Sequence, residues 1–106
     1  MDSVKFQRLK DYVNTLVQQG DQYEKEKEYE MAIEKYLKVV DVLLVMGDSA
    51  PNYPMWVQCT DKAEAFQKKV KNLIALASIQ QEKKDVENLE HKTYPKGAEQ
   101  IVLRSS

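Results

Sequence analysis

Four closely spaced residues, Gly20, Tyr23, Ala32 and Tyr36, constrain the fold more than any other feature of the chain. The two small residues stand where the backbones of two helices would cross, since only a small residue lets two backbones approach closely. The two tyrosines stand where rings can fill the space beside that crossing. The spacing predicts two short antiparallel helices packed across a tight turn, which is typical of scaffolds that hold peptides rather than of catalytic pockets.

Apolar residues recur at alternating steps of three and four along three segments, which places each set on one face of an α-helix. The first segment carries Phe6, Leu9, Val13, Leu16, Gly20 and Tyr23 and is expected to end near residues 26–28. The second carries a wider apolar face, made of Tyr29, Ala32, Ile33, Tyr36, Leu37, Val39, Val40, Leu43 and Leu44. The width of this face predicts a central helix that packs between two neighbours.

A loop is expected at residues 47–53, where Gly47 can adopt the left-handed conformation that ends a helix and Pro51 cannot continue one. The third helix is predicted to begin near Pro54. Its apolar stripe consists of Trp56, Cys59, Ala63, Phe66, Val70, Leu73 and Ala77. These patterns predict an all-α fold, an antiparallel three-helix bundle over residues 1–78 with a longer third helix.

Beyond residue 78 the apolar pattern thins to three positions, Ile79, Val86 and Leu89. This thin stripe predicts a helical extension with weak packing over residues 79–92. A turn signal follows, so residues 93–106 are expected to form a flexible tail or linker.

The charge balance limits the classes of partner. The chain has sixteen Lys and Arg and seventeen Asp and Glu, for a net charge of −1. A partner that binds electrostatically therefore has to recognise a local cluster of charged residues. No apolar run approaches the roughly 20 residues that span a bilayer, and the first ten residues lack the apolar core of a secretory signal. We expect a soluble protein in a reducing compartment, with no nucleic-acid partner and no direct membrane insertion.

The sequence contains few residues of the kinds that act in catalysis or bind metals and cofactors. Cys59 is the single cysteine and falls on the apolar stripe, so a small buried hydrophobe is expected there rather than a nucleophile. His91 is the single histidine and has no pattern suited to a catalytic triad. The sequence contains no Gly-rich phosphate loop, zinc-ligand spacing or calcium loop. We therefore expect no enzymatic activity, no metal and no cofactor.

The helix hairpin resembles one unit of a tetratricopeptide repeat, in which small and aromatic residues recur at these spacings within about 34 residues. The unit does not recur, and one hairpin followed by a longer helix resembles the MIT (microtubule-interacting and trafficking) domain. The family's second-helix pattern is matched by Tyr29, Glu30, Ala32 and Tyr36. Its third-helix pattern is matched by Ala63, Phe66, Val70 and Leu73. The resemblance covers residues 4–77.

The resemblance implies a protein-interaction module that binds the C-terminal tail peptides of ESCRT-III-type filament subunits. Such a module is monomeric in isolation and recruits an attached machine, for example an AAA ATPase, from the cytoplasm to endosomal or division-site membranes. It also implies two grooves. The groove between the first and third helices is expected to use Lys10, Asn14, Val17, Asp21, Ala65 and Lys69. The groove between the second and third helices is expected to use Gln67, Lys71 and Ile74. We favour the first groove, because the family often has an exposed leucine where this chain has Gln67.

Other interpretations of the same residues remain open. The chain is alternatively a single tetratricopeptide-like or coiled-coil assembly element, in which the long third helix mediates self-association through Ile79, Val86 and Leu89. Val17 is alternatively one of the isolated apolar surface residues that soluble domains commonly carry. The lysines of the third helix are alternatively a solvated charged face.

Overall fold

The computed structural model describes residues 3–91, which form three α-helices joined by two short turns. Helix α1 spans Ser3–Lys25, α2 spans Tyr29–Asp48 and α3 spans Tyr53–His91. Between residues 3 and 91 there is no β-strand. The all-α class and the number of helices are therefore confirmed. The tail predicted for residues 93–106 lies outside the described residues, as does residue 92.

Two apolar clusters hold the helices together, and α2 contributes to both. The first cluster consists of Val13, Leu16, Val39, Val40, Leu43, Met46, Cys59 and Ala63. The second consists of Ala32, Tyr36, Val70 and Leu73. Within the described helices no Cα atom of α1 comes within 8 Å of a Cα atom of α3. The prediction that the second helix is central is thus confirmed, although Leu37 and Leu44 of its apolar stripe are exposed.

The turn between α1 and α2 ends α1 with one residue in the left-handed backbone conformation, and that residue is not glycine. Lys27 has a φ of 61°, and the N–H of Lys27 donates to the carbonyl of Glu24 at 3.0 Å. The N–H of Glu28 donates to the carbonyl of Tyr23 at 2.8 Å. These two bonds satisfy carbonyls that the end of α1 would otherwise leave unpaired. Because no Gly or Pro marks this turn, only the change of apolar register locates it in the sequence.

The end of α2 differs from the prediction. The helix continues to Asp48, and no glycine in the described range has a positive φ, so the expectation of a left-handed Gly47 is wrong. The N–H groups of Ser49 and Ala50 bond to the last carbonyls of α2 at 3.1–3.2 Å without any left-handed residue. Helix α3 then begins with Asn52 as its cap, since the Asn52 side chain accepts the N–H of Met55 at 3.0 Å.

The approach of α1 to α2 depends on the missing side chain of Gly20. A Cβ atom built at Gly20 would lie 2.7 Å from Cε1 and 2.9 Å from Cζ of Tyr36. The Tyr36 side chain is fully buried, so the ring has no free space to enter. Gly47 is different, because a Cβ atom there would lie 3.6 Å from Cβ of Cys59, an ordinary contact distance.

Helix α3 is much longer than the part of it that is buried. Its 39 residues correspond to a length of about 58 Å at 1.5 Å per residue. Leu73 is its last buried apolar residue among those whose burial is described. Ile79, Val86 and Leu89 are 49%, 53% and 55% exposed. One polar contact reaches back from this end, the hydrogen bond from Nε2 of Gln80 to the carbonyl of Lys27 at 3.2 Å.

Replacing each of the two helical glycines by alanine is expected to change the free energy of unfolding in opposite directions. Gly20→Ala is expected to lower the free energy of unfolding by about 1–3 kcal/mol, because overpacking against the buried Tyr36 ring outweighs the better helix propensity of alanine. Gly47→Ala is expected to raise it by up to about 1 kcal/mol, because the new methyl group fits and the propensity gain remains. Urea unfolding followed by circular dichroism measures both. A stabilised Gly20→Ala variant would show that the ring does not restrict this position.

Candidate functional site

An apolar groove with a volume of about 340 Å³ lies between α1 and α3. Residues of all three helices line this α1/α3 groove: Phe6, Lys10, Val13, Asn14, Val17, Leu43, Met46, Met55, Gln58, Cys59, Lys62 and Phe66. Helix α2 supplies only Leu43 and Met46, which form the floor. The groove exists because α1 and α3 each pack on α2 while their own backbones stay more than 8 Å apart.

Three of the six residues predicted for this groove, Lys10, Asn14 and Val17, line it together. Val17 is half-buried and packs against the first apolar cluster, so its side chain is not isolated on the surface. Asp21 and Lys69 lie in a separate depression that they share with Glu24 and Lys25.

Ala65 is exposed on α3 and does not line the groove. The groove residues of α3 that the sequence analysis missed are Met55, Gln58 and Lys62. They follow one another at steps of three and four and continue to Phe66, so helical periodicity places them on one face of α3. Nothing in the sequence marks that face as the one across from α1.

A polar network connects the three helices beyond the Val17 end of the groove. The Tyr36 hydroxyl lies 2.5 Å from Oδ1 of Asp21 and 3.0 Å from Oε1 of Glu24, so both carboxylates are within hydrogen-bond distance of its one proton. The Nζ atom of Lys69 lies 3.1 Å from Oε1 of Glu24 and 5.0 Å from the centroid of the Tyr36 ring. The Tyr36 ring also lies 5.6 Å from the ring of Phe66, measured between centroids. Residues from α1, α2 and α3 thus meet around one phenol.

Two groups of the site have shifted proton affinities. Burial raises the pKa of the Tyr36 phenol well above its usual range, and the hydrogen bonds to Asp21 and Glu24 raise it further. Burial also raises the pKa of the Cys59 thiol, although the charge of Lys62 acts in the opposite direction. A thiol held protonated by burial is a poor nucleophile. Cys59 therefore acts as an apolar lining residue of the groove.

A larger and more open depression of about 770 Å³ lies between α2 and α3. Gln67 and Lys71 line this α2/α3 groove, together with the exposed leucines Leu37 and Leu44. Ile74, the third residue predicted for it, is exposed on α3 but is not part of its lining.

The described helices contain no cluster of three or more His, Cys, Asp or Glu side chains that could hold a metal ion. Over the same residues, no helix is both long enough and apolar enough to cross a membrane. Comparison of the chain with protein-family models, with curated proteins and with solved structures gives no match.

The Tyr36 hydroxyl is expected to make stability depend on pH at the alkaline end. An unfolded tyrosine has a pKa of about 10, and the folded pKa of Tyr36 is raised. The hydroxyl's contribution is therefore complete below about pH 10 and is lost as pH rises further, because only the unfolded chain then releases the proton.

Tyr36→Phe is expected to lower the free energy of unfolding by about 1–2 kcal/mol at neutral pH, through the loss of hydrogen bonds to two carboxylates. Above about pH 10, the difference between the parent and this variant should shrink by up to about 1.4 kcal/mol per pH unit. Urea unfolding over a pH series measures this difference. Tyr12→Phe, which removes an exposed phenol, is the matched control. A parent–variant difference that stays constant with pH would contradict the role of the hydroxyl.

Proposed function

We propose that this chain is an MIT-like interaction module whose α1/α3 groove binds short C-terminal tail segments of ESCRT-III-type filament subunits. In this proposal the three helices form an antiparallel bundle, with α1 and α2 paired as in a tetratricopeptide hairpin. The order of contacts supports that arrangement. Gly20 near the end of α1 faces Tyr36 of α2, and Gly47 near the end of α2 faces Trp56 at the start of α3.

The main support for the proposal is the apolar groove itself, because apolar grooves between helices commonly bind the aliphatic side chains of peptides. Val13, Val17 and Phe66 offer aliphatic and aromatic surface, over a floor from α2. Asn14 and Gln58 line opposite sides of the groove with amide groups. An amide both donates and accepts, so these two side chains can bond the backbone of a bound segment.

The proposed role is recruitment without catalysis. A groove of about 340 Å³ buries only a few side chains, so a single tail is expected to bind weakly. Filaments present many tails at once, and multivalent attachment raises the effective affinity. The module would act in the cytoplasm and bring an attached machine, such as an AAA ATPase, to endosomal or division-site membranes where such filaments assemble.

Val17→Asp is expected to weaken tail binding at least about tenfold, because it places an unpaired charge against the apolar lining. Fluorescence anisotropy with a panel of labelled ESCRT-III tail peptides measures the affinity, and circular dichroism checks that the variant stays helical. Val45→Asp is the matched control, since Val45 is exposed on α2 and lies outside both grooves. Equal binding by the parent and Val17→Asp would reject this groove, and no binding to any tail would reject the proposed family of partners.

The exposed apolar residues at the C-terminal end of α3 favour a second candidate function. Ile79, Val86 and Leu89 follow one another at steps of seven and three, which is the spacing of a coiled-coil seam. All three are about half exposed. In this alternative the chain is an assembly element that associates with a second copy through α3.

Sedimentation equilibrium distinguishes the two functions without any peptide. The proposed module stays monomeric up to about 100 μM, whereas a coiled-coil element with an interface of the usual strength dimerises in that range. If a dimer forms, Val86→Asp should dissociate it, because a charge at a seam position opposes association. Lys84→Asp, at an exposed neighbouring position, is the control. A monomer over the whole concentration range would reject the assembly function.

A further inference from the structure

The connection between α1 and α2 has a sequence that favours a helix rather than a turn. It consists of residues 26–28, since α1 ends at Lys25 and α2 begins at Tyr29. Residues 23–30 read Tyr-Glu-Lys-Glu-Lys-Glu-Tyr-Glu, with no glycine, proline, asparagine or aspartate among them. Glu and Lys are good helix formers. Local preference alone would therefore continue one helix through this connection.

The observed turn is unfavourable at two points. Lys27 has a φ of 61°, a left-handed conformation that costs a residue with a Cβ atom more free energy than it costs glycine. Glu28 stands at the N-cap position of α2, and its side chain makes no cap hydrogen bond. The N–H groups in the first turn of α2 thus lack the acceptor that an N-cap side chain usually supplies. In a continuous helix these N–H groups would donate to the carbonyls of the preceding turn.

The packing of α1 on α2 holds the turn in place. The Tyr36 ring of α2 lies against Gly20 of α1, and the Tyr36 hydroxyl lies within hydrogen-bond distance of Asp21 and Glu24. None of these contacts involves residues 26–28. Helix α1 of a second copy can therefore make the same contacts with α2, and the turn can straighten without their loss.

From this combination we propose that two copies of the chain exchange α1 at the turn. In the exchanged dimer residues 26–28 are helical, and α1 and α2 form one helix over residues 3–48, about 69 Å long. Each α1 packs on α2 and α3 of the other copy. Joining two chains costs translational and rotational freedom, so refolding at high concentration favours the dimer and dilution favours the monomer. The folded monomer exchanges slowly, because α1 must first leave the apolar core.

The exchange makes each α1/α3 groove a joint product of two copies. The groove has one wall from α1, including Lys10 and Val17, and another from α3, including Gln58 and Phe66. In the dimer one copy supplies the first wall and the other copy supplies the second, so a dimer holds two complete grooves. This consequence, unlike the exchange itself, rests on the proposed function. Two grooves on one particle would bind two neighbouring tails and strengthen attachment through multivalency.

The Glu24–Lys69 ion pair reports on which copy each α1 packs. Its two charged atoms lie 3.1 Å apart, so a carbodiimide can join the side chains as an amide. A mixture of isotopically labelled and unlabelled chain is refolded at about 1 mM and at about 10 μM, separated by size exclusion, crosslinked, and analysed by mass spectrometry. The dimer from the concentrated sample should contain Glu24–Lys69 links between one labelled and one unlabelled peptide. The monomer should contain links between peptides of the same label only.

Substitution of Lys27 tests the cause of the exchange. Lys27→Gly should lower the yield of dimer at least about tenfold at the same refolding concentration, because glycine tolerates the left-handed conformation and disfavours the continuous helix. Lys27→Val should raise the yield, because a β-branched residue is poorly tolerated at positive φ. Lys38→Gly is the matched control and should leave the yield unchanged, since Lys38 is exposed on α2 and helical in both forms. Circular dichroism checks that all three variants remain helical.

Three results would overturn the exchange: no dimer in the concentrated sample, a dimer whose Glu24–Lys69 links join only peptides of the same label, or a Lys27→Gly variant that dimerises as the parent does. The exchanged dimer does not depend on the exposed apolar residues of α3, so it should survive Val86→Asp. A dimer that Val86→Asp dissociates would instead show association through α3. If mixed-label links form but neither monomer nor dimer binds any tail peptide, the exchange is supported and the proposed function fails.

Discussion

The contact between the Tyr36 ring and Gly20 is the constraint on which the rest of the structure depends. The ring occupies the place where any side chain at Gly20 would stand, so it can be fully buried between helices. From that position its hydroxyl reaches two carboxylates of α1, and its face meets Phe66 and Lys69 of α3. A single residue of the central helix thereby fixes both neighbours. A larger residue at position 20 would separate α1 from α2 and break the network at its centre.

This arrangement also explains why a groove remains between α1 and α3. Each outer helix packs on α2, and no backbone approach within 8 Å joins them to each other over the described residues. At one end the Glu24–Lys69 ion pair connects the two helices. Elsewhere apolar side chains such as Val17 and Phe66 line an open space of about 340 Å³. Packing density in a folded core is close to that of a crystal, whereas the described side chains leave this space between the two outer helices open.

The charges around the groove divide into two kinds with different consequences. Lys69 and Glu24 compensate each other and stabilise the bundle, whereas Lys10 and Lys62 have no acidic partner in the described helices. Uncompensated charges at the edge of an apolar groove raise the association rate and the specificity for a complementary ligand more than they raise affinity. The same residue type on the same helix is therefore paired with a carboxylate at one position, Lys69, and lines the groove at another, Lys62.

The sequence by itself determined the three helices and their buried faces, because apolar side chains at steps of three and four have to lie together on one side of a helix. Residues such as Val13, Val40 and Ala63 could therefore be placed in the core in advance. The change of apolar register also located the first turn near residues 26–28, but the backbone conformations were not foreseen, since Lys27 adopts a conformation expected of glycine and Gly47 stays helical. Only the tertiary structure decided which lysine faces the groove. Pairing depends on residues far apart in the chain, such as Glu24 and Lys69, and periodicity along one helix carries no information about the charge across from it.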